Sequence, residues 1–207
     1  MPVHLVNHPL VHDALMELRD VRTQPPEFRR ASNRISVLLA AEALKDVPSR
    51  RHTVETPLGP ADGMVVAGDV VVVPVLRAGL GMLDAVLELV PDARVGHIGL
   101  QRDEMTAVAS QYYSKLPARL DAAYVMMIDP MLATGGSAVA ALEVLRRAGA
   151  GTIRMICIVA APEGVALVER QHPGVAIYTP VVDKELNAHK YIVPGLGDFG
   201  DRLYGTV

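Results

Sequence analysis

Hydrophobic positions along the chain fall into two rhythms. Across residues 12–21 and again across 26–44, apolar residues recur every three or four positions, the spacing of one buried helix face, and Pro25-Pro26 supplies a stop and a start between the two segments. Ile35, Val37, Leu38 and Leu39 are the expected core positions of the second helix. Residues 51–66 change to β-branched types interrupted by Pro57-Leu58-Gly59-Pro60, which predicts a short antiparallel pair.

From Asp69 onward strands and helices alternate. Residues 70–75, 94–100, 124–128, 153–160 and 175–182 are near-continuous apolar runs, the pattern of strands covered on both faces. Helices are predicted over 81–90, over 137–147 with a stop at Gly149, and over 162–171 with Pro162 in the first turn. This alternation predicts an α/β fold, a doubly wound and mainly parallel sheet flanked by helices, with ligand sites beyond the carboxyl ends of the strands. One domain over 1–207 is expected: N-terminal helices and a β-arm in 1–68, the α/β core in 69–182, and a small hood in 183–207. Two segments leave the rhythm. Residues 102–117 are polar without a helical period, which predicts a long functional loop, and 187–205 carry four glycines, so contacts elsewhere must hold them.

Composition narrows the classes. A chain of 207 residues, half of them hydrophobic, suffices for one α/β domain and not for two. The single cysteine, Cys157, sits inside an apolar strand, which excludes an internal disulfide or cysteine-built metal site and fits a reducing, cytoplasmic setting. No run approaches the roughly 18 apolar residues of a membrane span, and Met1-Pro2-Val3-His4-Leu5 lacks the regions of a signal peptide, so no membrane contact is expected. A net charge of -3 with scattered basic residues gives no footprint for nucleic acid. Without Trp and with two Phe, a stacking platform for bases is also excluded.

The chemistry concentrates in one strand-to-helix loop, Asp129-Pro130-Met131-Leu132-Ala133-Thr134-Gly135-Gly136-Ser137. Gly135 and Gly136 let backbone amides approach an anion, Thr134 and Ser137 add hydroxyl donors, and the helix that follows aims its positive end at the same point. Asp129 would repel a phosphate but suits sugar hydroxyls, so the loop as a whole describes a phosphorylated sugar. The Walker lysine is missing, and Gly79-Leu80-Gly81 lacks the third glycine of a dinucleotide fingerprint.

This loop resembles the phosphoribosyl diphosphate motif of type I phosphoribosyltransferases, in the variant of the uracil enzymes, which carry proline where most members have a second acid. The match extends outward. Val73-Pro74-Val75-Leu76-Arg77-Ala78-Gly79-Leu80-Gly81-Met82 looks like the diphosphate loop, Asp183 to Asn187 precedes the hood, and Tyr191-Ile192-Val193-Pro194-Gly195-Leu196-Gly197-Asp198 looks like the base-binding stretch. The resemblance implies a type I phosphoribosyltransferase fold and transfer of 5-phosphoribose from 5-phospho-α-D-ribose 1-diphosphate (PRPP) to uracil, giving UMP and diphosphate. It assigns Arg77, Arg102, Asp129 and Asp198 to catalysis, Arg77, Arg102, all of 129–137 and Asp198 to PRPP, and Ile192, Gly197, Asp198 and Phe199 to uracil. Mg²⁺ is expected to arrive with PRPP and not in a protein cage. Further expectations are a homo-oligomer and GTP as a candidate effector; Asp103, Glu104, Tyr112 and Tyr113 read equally as part of a lid over the donor or as a polar loop without that role. An RNA-binding regulator and a purine enzyme share the fold; the acidic balance disfavours the first, and Pro130 with the 191–198 stretch disfavours the second. Two positions depart from the family pattern. Phe199 stands where alanine is usual, with its ring expected to turn outward from the pocket, and Lys190 stands where glycine is usual, which puts the hood backbone in question.

Overall fold

The computed structural model describes residues 3–102 and 109–206. Strand β1 (Val3–Leu5) is followed by helices α1 (Pro9–Arg19) and α2 (Pro25–Ala43), each with proline in the first turn where its missing N–H costs nothing. A hairpin of β2 (Ser49–Thr56) and β3 (Gly59–Val66) pairs in continuous register from Ser49 opposite Val66 to Thr56 opposite Gly59. The expected β-arm is thus present, and it stands almost entirely exposed.

The core then runs β4 (Asp69–Leu76), α3 (Leu80–Leu89), β5 (Arg94–Val95), β6 (His97–Arg102), β7 (Ala109–Lys115), β8 (Ala123–Ile128), β9 (Met131–Leu132), α4 (Gly136–Arg147), β10 (Thr152–Ile156), β11 (Val159–Ala160), α5 (Pro162–Gln171) and β12 (Ala176–Thr179). Among the described residues the main sheet orders as β1-β12-β10-β8-β4-β6-β7, with β5 beside β4. All pairs are parallel except β6 with β7. Hence the mainly parallel α/β sheet is present. From β4 the chain moves outward to β6, whereas from β8 it moves the other way to β10 and β12. The boundary between β4 and β8 is therefore the switch point, where a crevice opens beyond the strand ends.

Alternation along β4 divides the core in two. Val70 and Val72 face α1, α2 and α3, packing with Phe28, Ile35, Leu39, Met82 and Val86. Val71, Val73 and Val75 face the opposite layer, with Leu142 and Leu145 of α4 and Val168 of α5. Cys157 is fully buried, and that burial pushes its thiol up to about 12, so it serves as a small apolar residue.

Three expectations need correction. The run expected as one strand over 94–100 is two, β5 and β6, interrupted at Gly96. The segment expected as a loop between β6 and β8 contains β7, an antiparallel partner of β6 with a register shift at Gly99/Leu100. Its polar, fully exposed run Ser110-Gln111-Tyr112-Tyr113-Ser114-Lys115 has no buried face to create alternation, because it forms the edge of the sheet. Tyr112 and Tyr113 thus sit on a paired strand; Asp103 and Glu104 lie outside the described residues. The run expected as one strand over 153–160 is two, β10 and β11, and β11 leaves the main sheet to pair with β9.

After β12 the chain forms a hood of β13 (Glu185–Leu186) and β14 (Ile192–Val193), then α6 (Phe199–Tyr204). Asp183, buried at its start, receives two bonds from the Arg19 guanidinium at 2.7 and 3.0 Å and a third from the Gly195 N–H at 2.8 Å. Arg19 also donates to the Gly195 carbonyl at 3.1 Å. Arg202 closes a second tie: it donates to the carbonyls of Leu18, Asp20 and Leu196, and its guanidinium lies 4.6 Å from the centre of the Phe28 ring. Removing one partner of a buried ion pair leaves a charge without compensation. Arg19→Ala is therefore expected to cost about 3 kcal/mol or more, read as a lowered urea midpoint.

Candidate active site

The strand ends at the switch point supply the two halves of one groove. Asp129 directly follows β8, and the loop after it enters α4 through Gly135, which has φ +85. A side chain at Gly135 would be strained in that conformation and would also lie 3.0 Å from the Gly164 carbonyl. Gly164 answers from α5: a Cβ there would sit 2.5 Å from the carbonyl oxygen of Ala133 and 2.9 Å from that of Leu132. The loop is pressed onto the first turn of α5. This packing holds its amides and the α4 N-terminus in place, an arrangement chemically suited to an anion.

A cavity of about 320 Å³ lies over this loop. One wall consists of Asp129, Met131, Leu132, Ala133, Thr134, Gly135, Ser137 and Ala138; the other is formed by the hood with His189, Lys190, Tyr191 and Ile192, and by Gly197, Asp198 and Phe199. Most of the sequence-predicted loop and base-binding residues thus meet around one space. Pro130 is buried behind it, its carbonyl accepting from the N–H groups of Ile158 and Val159, so its part is to shape the loop.

Asp129 is half-buried and lines the cavity. Burial pushes its carboxyl up to about 6, opposed only by the Met131 N–H, which it accepts at 3.4 Å. Such a group is poised to accept hydrogen bonds from hydroxyls that enter the cavity and replace the missing water.

Arg77 does not line this cavity. It follows β4 across a cis Leu76–Arg77 peptide, is exposed, and stands 3.7 Å from Asp201 of α6. The Tyr204 hydroxyl donates to the Arg77 carbonyl at 3.3 Å. Gly79 explains the tightness of this turn: a Cβ there would lie 2.5 Å from the Ile128 carbonyl and 2.7 Å from the Val75 nitrogen, so only glycine lets the β4 turn pack against the end of β8. The backbone of Arg102 ends β6 next to β4, and its side chain lies outside the described residues.

Asp198 caps α6 by accepting from the Asp201 N–H at 2.9 Å, and it borders the cavity. Phe199 corrects an expectation. Its ring neither turns to solvent nor stays at the surface but is buried in the helical layer, 1% exposed, edge-on to Phe28 at 5.2 Å and against Gly81. Only glycine at 81 leaves that space. Lys190 has φ +64, in the left-handed region that costs an ordinary residue about 1–2 kcal/mol. The Asn187 side chain holds it there, accepting from the N–H groups of His189 at 2.9 Å and Tyr191 at 3.0 Å, while Lys190 N–H donates to the Asn187 carbonyl at 2.9 Å. The hood backbone therefore keeps the turn despite the lysine.

Sequence reasoning overlooked Gly164, Gly79 and the Asp183–Arg19 pair as supports of this site. A glycine in the first turn of a predicted helix, as in Pro162-Glu163-Gly164, was the available signal, since such a residue usually has a packing reason. No group of three or more His, Cys, Asp or Glu able to hold a metal occurs among the described residues.

Comparisons with known proteins agree with this geometry. The family model for uracil phosphoribosyltransferase matches residues 5–206. Uracil phosphoribosyltransferase from Dictyoglomus thermophilum is 51% identical over 205 residues, covering 99% of both chains. Among solved structures, the AQ2163 protein from Aquifex aeolicus superposes with a TM-score of 0.94 at 37% identity and 98% coverage of each chain. A hypoxanthine-guanine phosphoribosyltransferase from Bacillus anthracis, at 11% identity, shares the fold with a TM-score of 0.53 over 77% of this chain and 80% of its own.

Two tests address the supports of the cavity. Gly164→Ala is expected to force the loop off α5 and to destabilise the fold by about 1–3 kcal/mol, read from urea unfolding. For Asp129 the sign is set by its raised value. The folded carboxyl binds its proton more tightly than the unfolded one, so its contribution to stability is full below pH 3.8 and is lost as pH rises through about 6. Asp129→Asn escapes that loss. The stability of the variant relative to the parent should climb between about pH 4 and 6 and level off above, in unfolding curves across that range.

Proposed function

The chain belongs to the uracil phosphoribosyltransferase family, and from that premise we propose that the cavity between the 129–137 loop and the hood is where its reaction takes place. The enzyme transfers the 5-phosphoribosyl group of PRPP to uracil, yielding UMP and diphosphate, a step of pyrimidine salvage. The observation that carries the placement is the meeting of Asp129, the phosphate cradle and the 191–199 stretch around one space.

In this reading the amides and hydroxyls of 134–137 and the α4 N-terminus take the 5-phosphate, and Asp129 accepts from the ribose hydroxyls. Uracil lies against the hood, where backbone groups at Ile192, Gly197 and Phe199 read its O2, N3–H and O4 edge. A carbonyl facing N3–H would meet a lone pair in cytosine, leaving two acceptors opposed. Displacement at the anomeric carbon proceeds through a cationic, loosely bonded transition state that needs no protein nucleophile. Catalysis then rests on alignment and on stabilising the departing diphosphate, the role assigned to Arg77 and Arg102. Asp201 stands beside Arg77, an exposed pair that a highly charged diphosphate can displace.

Phosphoribosyltransferases generally use Mg²⁺ with PRPP. The carboxylates bordering the cavity, Asp129 and Asp198, offer oxygen donors of the type this ion prefers but too few for a cage, which fits an ion carried in by the donor. When bound, Mg²⁺ supplies charge neutralisation for the phosphate oxygens. A homo-oligomer belongs to the same reading, supported by the exposed hairpin with Leu58, Met64, Val54 and Val66 uncovered. GTP as effector rests on the family resemblance. No described helix is long and apolar enough to cross a membrane, and a cytoplasmic setting is part of the proposal.

Mixing the protein with PRPP, Mg²⁺ and single bases should give UMP from uracil and no comparable product from cytosine or purines. Asp129→Asn should lower kcat/KM at least about a hundredfold while remaining folded. The parent should also lose kcat/KM on the acid side as Asp129 takes up its proton near pH 6. Unchanged turnover in the variant would remove Asp129 from the mechanism.

A further inference from the structure

Among the described residues that line the cavity, Lys190 is the only lysine or arginine. The other charged residues described there are Asp129 and Asp198, both acids, and His189 is the sole further titratable base among them. A ligand with several phosphoryl charges thus meets, among the described lining residues, two carboxylates and a single obligate cation. The Lys190 amine takes part in none of the ion pairs among the described residues, so it is free to engage a ligand. Its backbone is held in the left-handed region by the Asn187 turn, a conformation in which a side chain is retained only against a local cost. Strain at the rim of a ligand site, with an uncommitted charge on the strained residue, is the combination expected where the side chain touches what binds.

We propose that Lys190 is a ligand-binding residue of this chain, its amine engaging phosphoryl oxygens of the bound donor or nucleotide from the hood side of the cavity, opposite the Thr134–Ser137 cradle. The proposal rests on the uracil phosphoribosyltransferase reading of the site. The lysine complements the cradle in kind. Amides and a helix end provide fixed dipoles, whereas an ammonium on a flexible stem provides a point charge that follows the phosphate as the ligand settles. Being exposed, it acts in high dielectric, so a modest effect that weakens with salt is expected.

The test uses the full-length protein, with UMP and inorganic diphosphate as separate probes in titration calorimetry at low and high salt. Lys190→Gln keeps a side chain of similar reach without charge, and Lys190→Gly relieves the backbone. Both should weaken binding by about three- to tenfold at low salt and flatten its salt dependence. Lys190→Gly should in addition raise the thermal midpoint, which separates loss of charge from loss of fold. Weakening confined to UMP places the amine on the 5-phosphate; weakening confined to diphosphate places it on the leaving group; either supports the proposal. Parent-like affinity and salt dependence in Lys190→Gln, beside normal binding by the parent, overturn the lysine's part alone. Failure of the parent to bind either probe overturns the reading of the site and the lysine's part with it.

Discussion

The Asp183 carboxylate, buried where the last core strand gives way to the hood, is the constraint on which the site depends. Taking a carboxylate out of water costs several kcal/mol unless each oxygen is satisfied. Here both are, by a two-pronged Arg19 and by the Gly195 amide. Arg19 belongs to the last turn of α1, so the same bonds that satisfy the acid fasten the hood to the helical layer. Arg202 repeats the device from α6, satisfying the terminal carbonyls of α1 that no helix bond can reach. Residues 190 to 199 hang between these two ties, so the distance from the hood to the 129–137 loop across the cavity is set by charged hydrogen bonds.

The opposite wall is set by exclusion of volume. Gly79 and Gly164 each mark a place where backbone meets backbone at a distance no Cβ allows, and Gly135, at φ +85, holds a conformation in which a side chain would be strained. Together they draw the ends of β4 and β8 and the start of α5 into contact. An anion cradle gains selectivity from such rigidity, because its donors cannot rearrange around an ion of another shape.

Much of this was legible in the chain. The apolar runs at 70–75 and 124–128 reveal buried parallel strands because both of their faces are covered, and the 129–137 loop reveals its chemistry through glycines, hydroxyls and an acid at a strand end. What stayed hidden has physical reasons. Strand β7 is an exposed edge and so leaves no alternation, while β9 and β11, two residues each, are too short to have a period. Helix α6 is six residues long and held by partners distant in sequence, Phe28 and Arg29 among them. The inward turn of Phe199 depends on a vacancy at Gly81, more than a hundred positions earlier, which no local pattern can announce.

Helix α6 touches both halves of the groove: Asp198 at its start borders the cavity, while Asp201 and Tyr204 reach the turn that carries Arg77. One six-residue helix thus meets both the cavity wall and the turn after β4, so any shift of α6 moves Asp198 and the surroundings of Arg77 together.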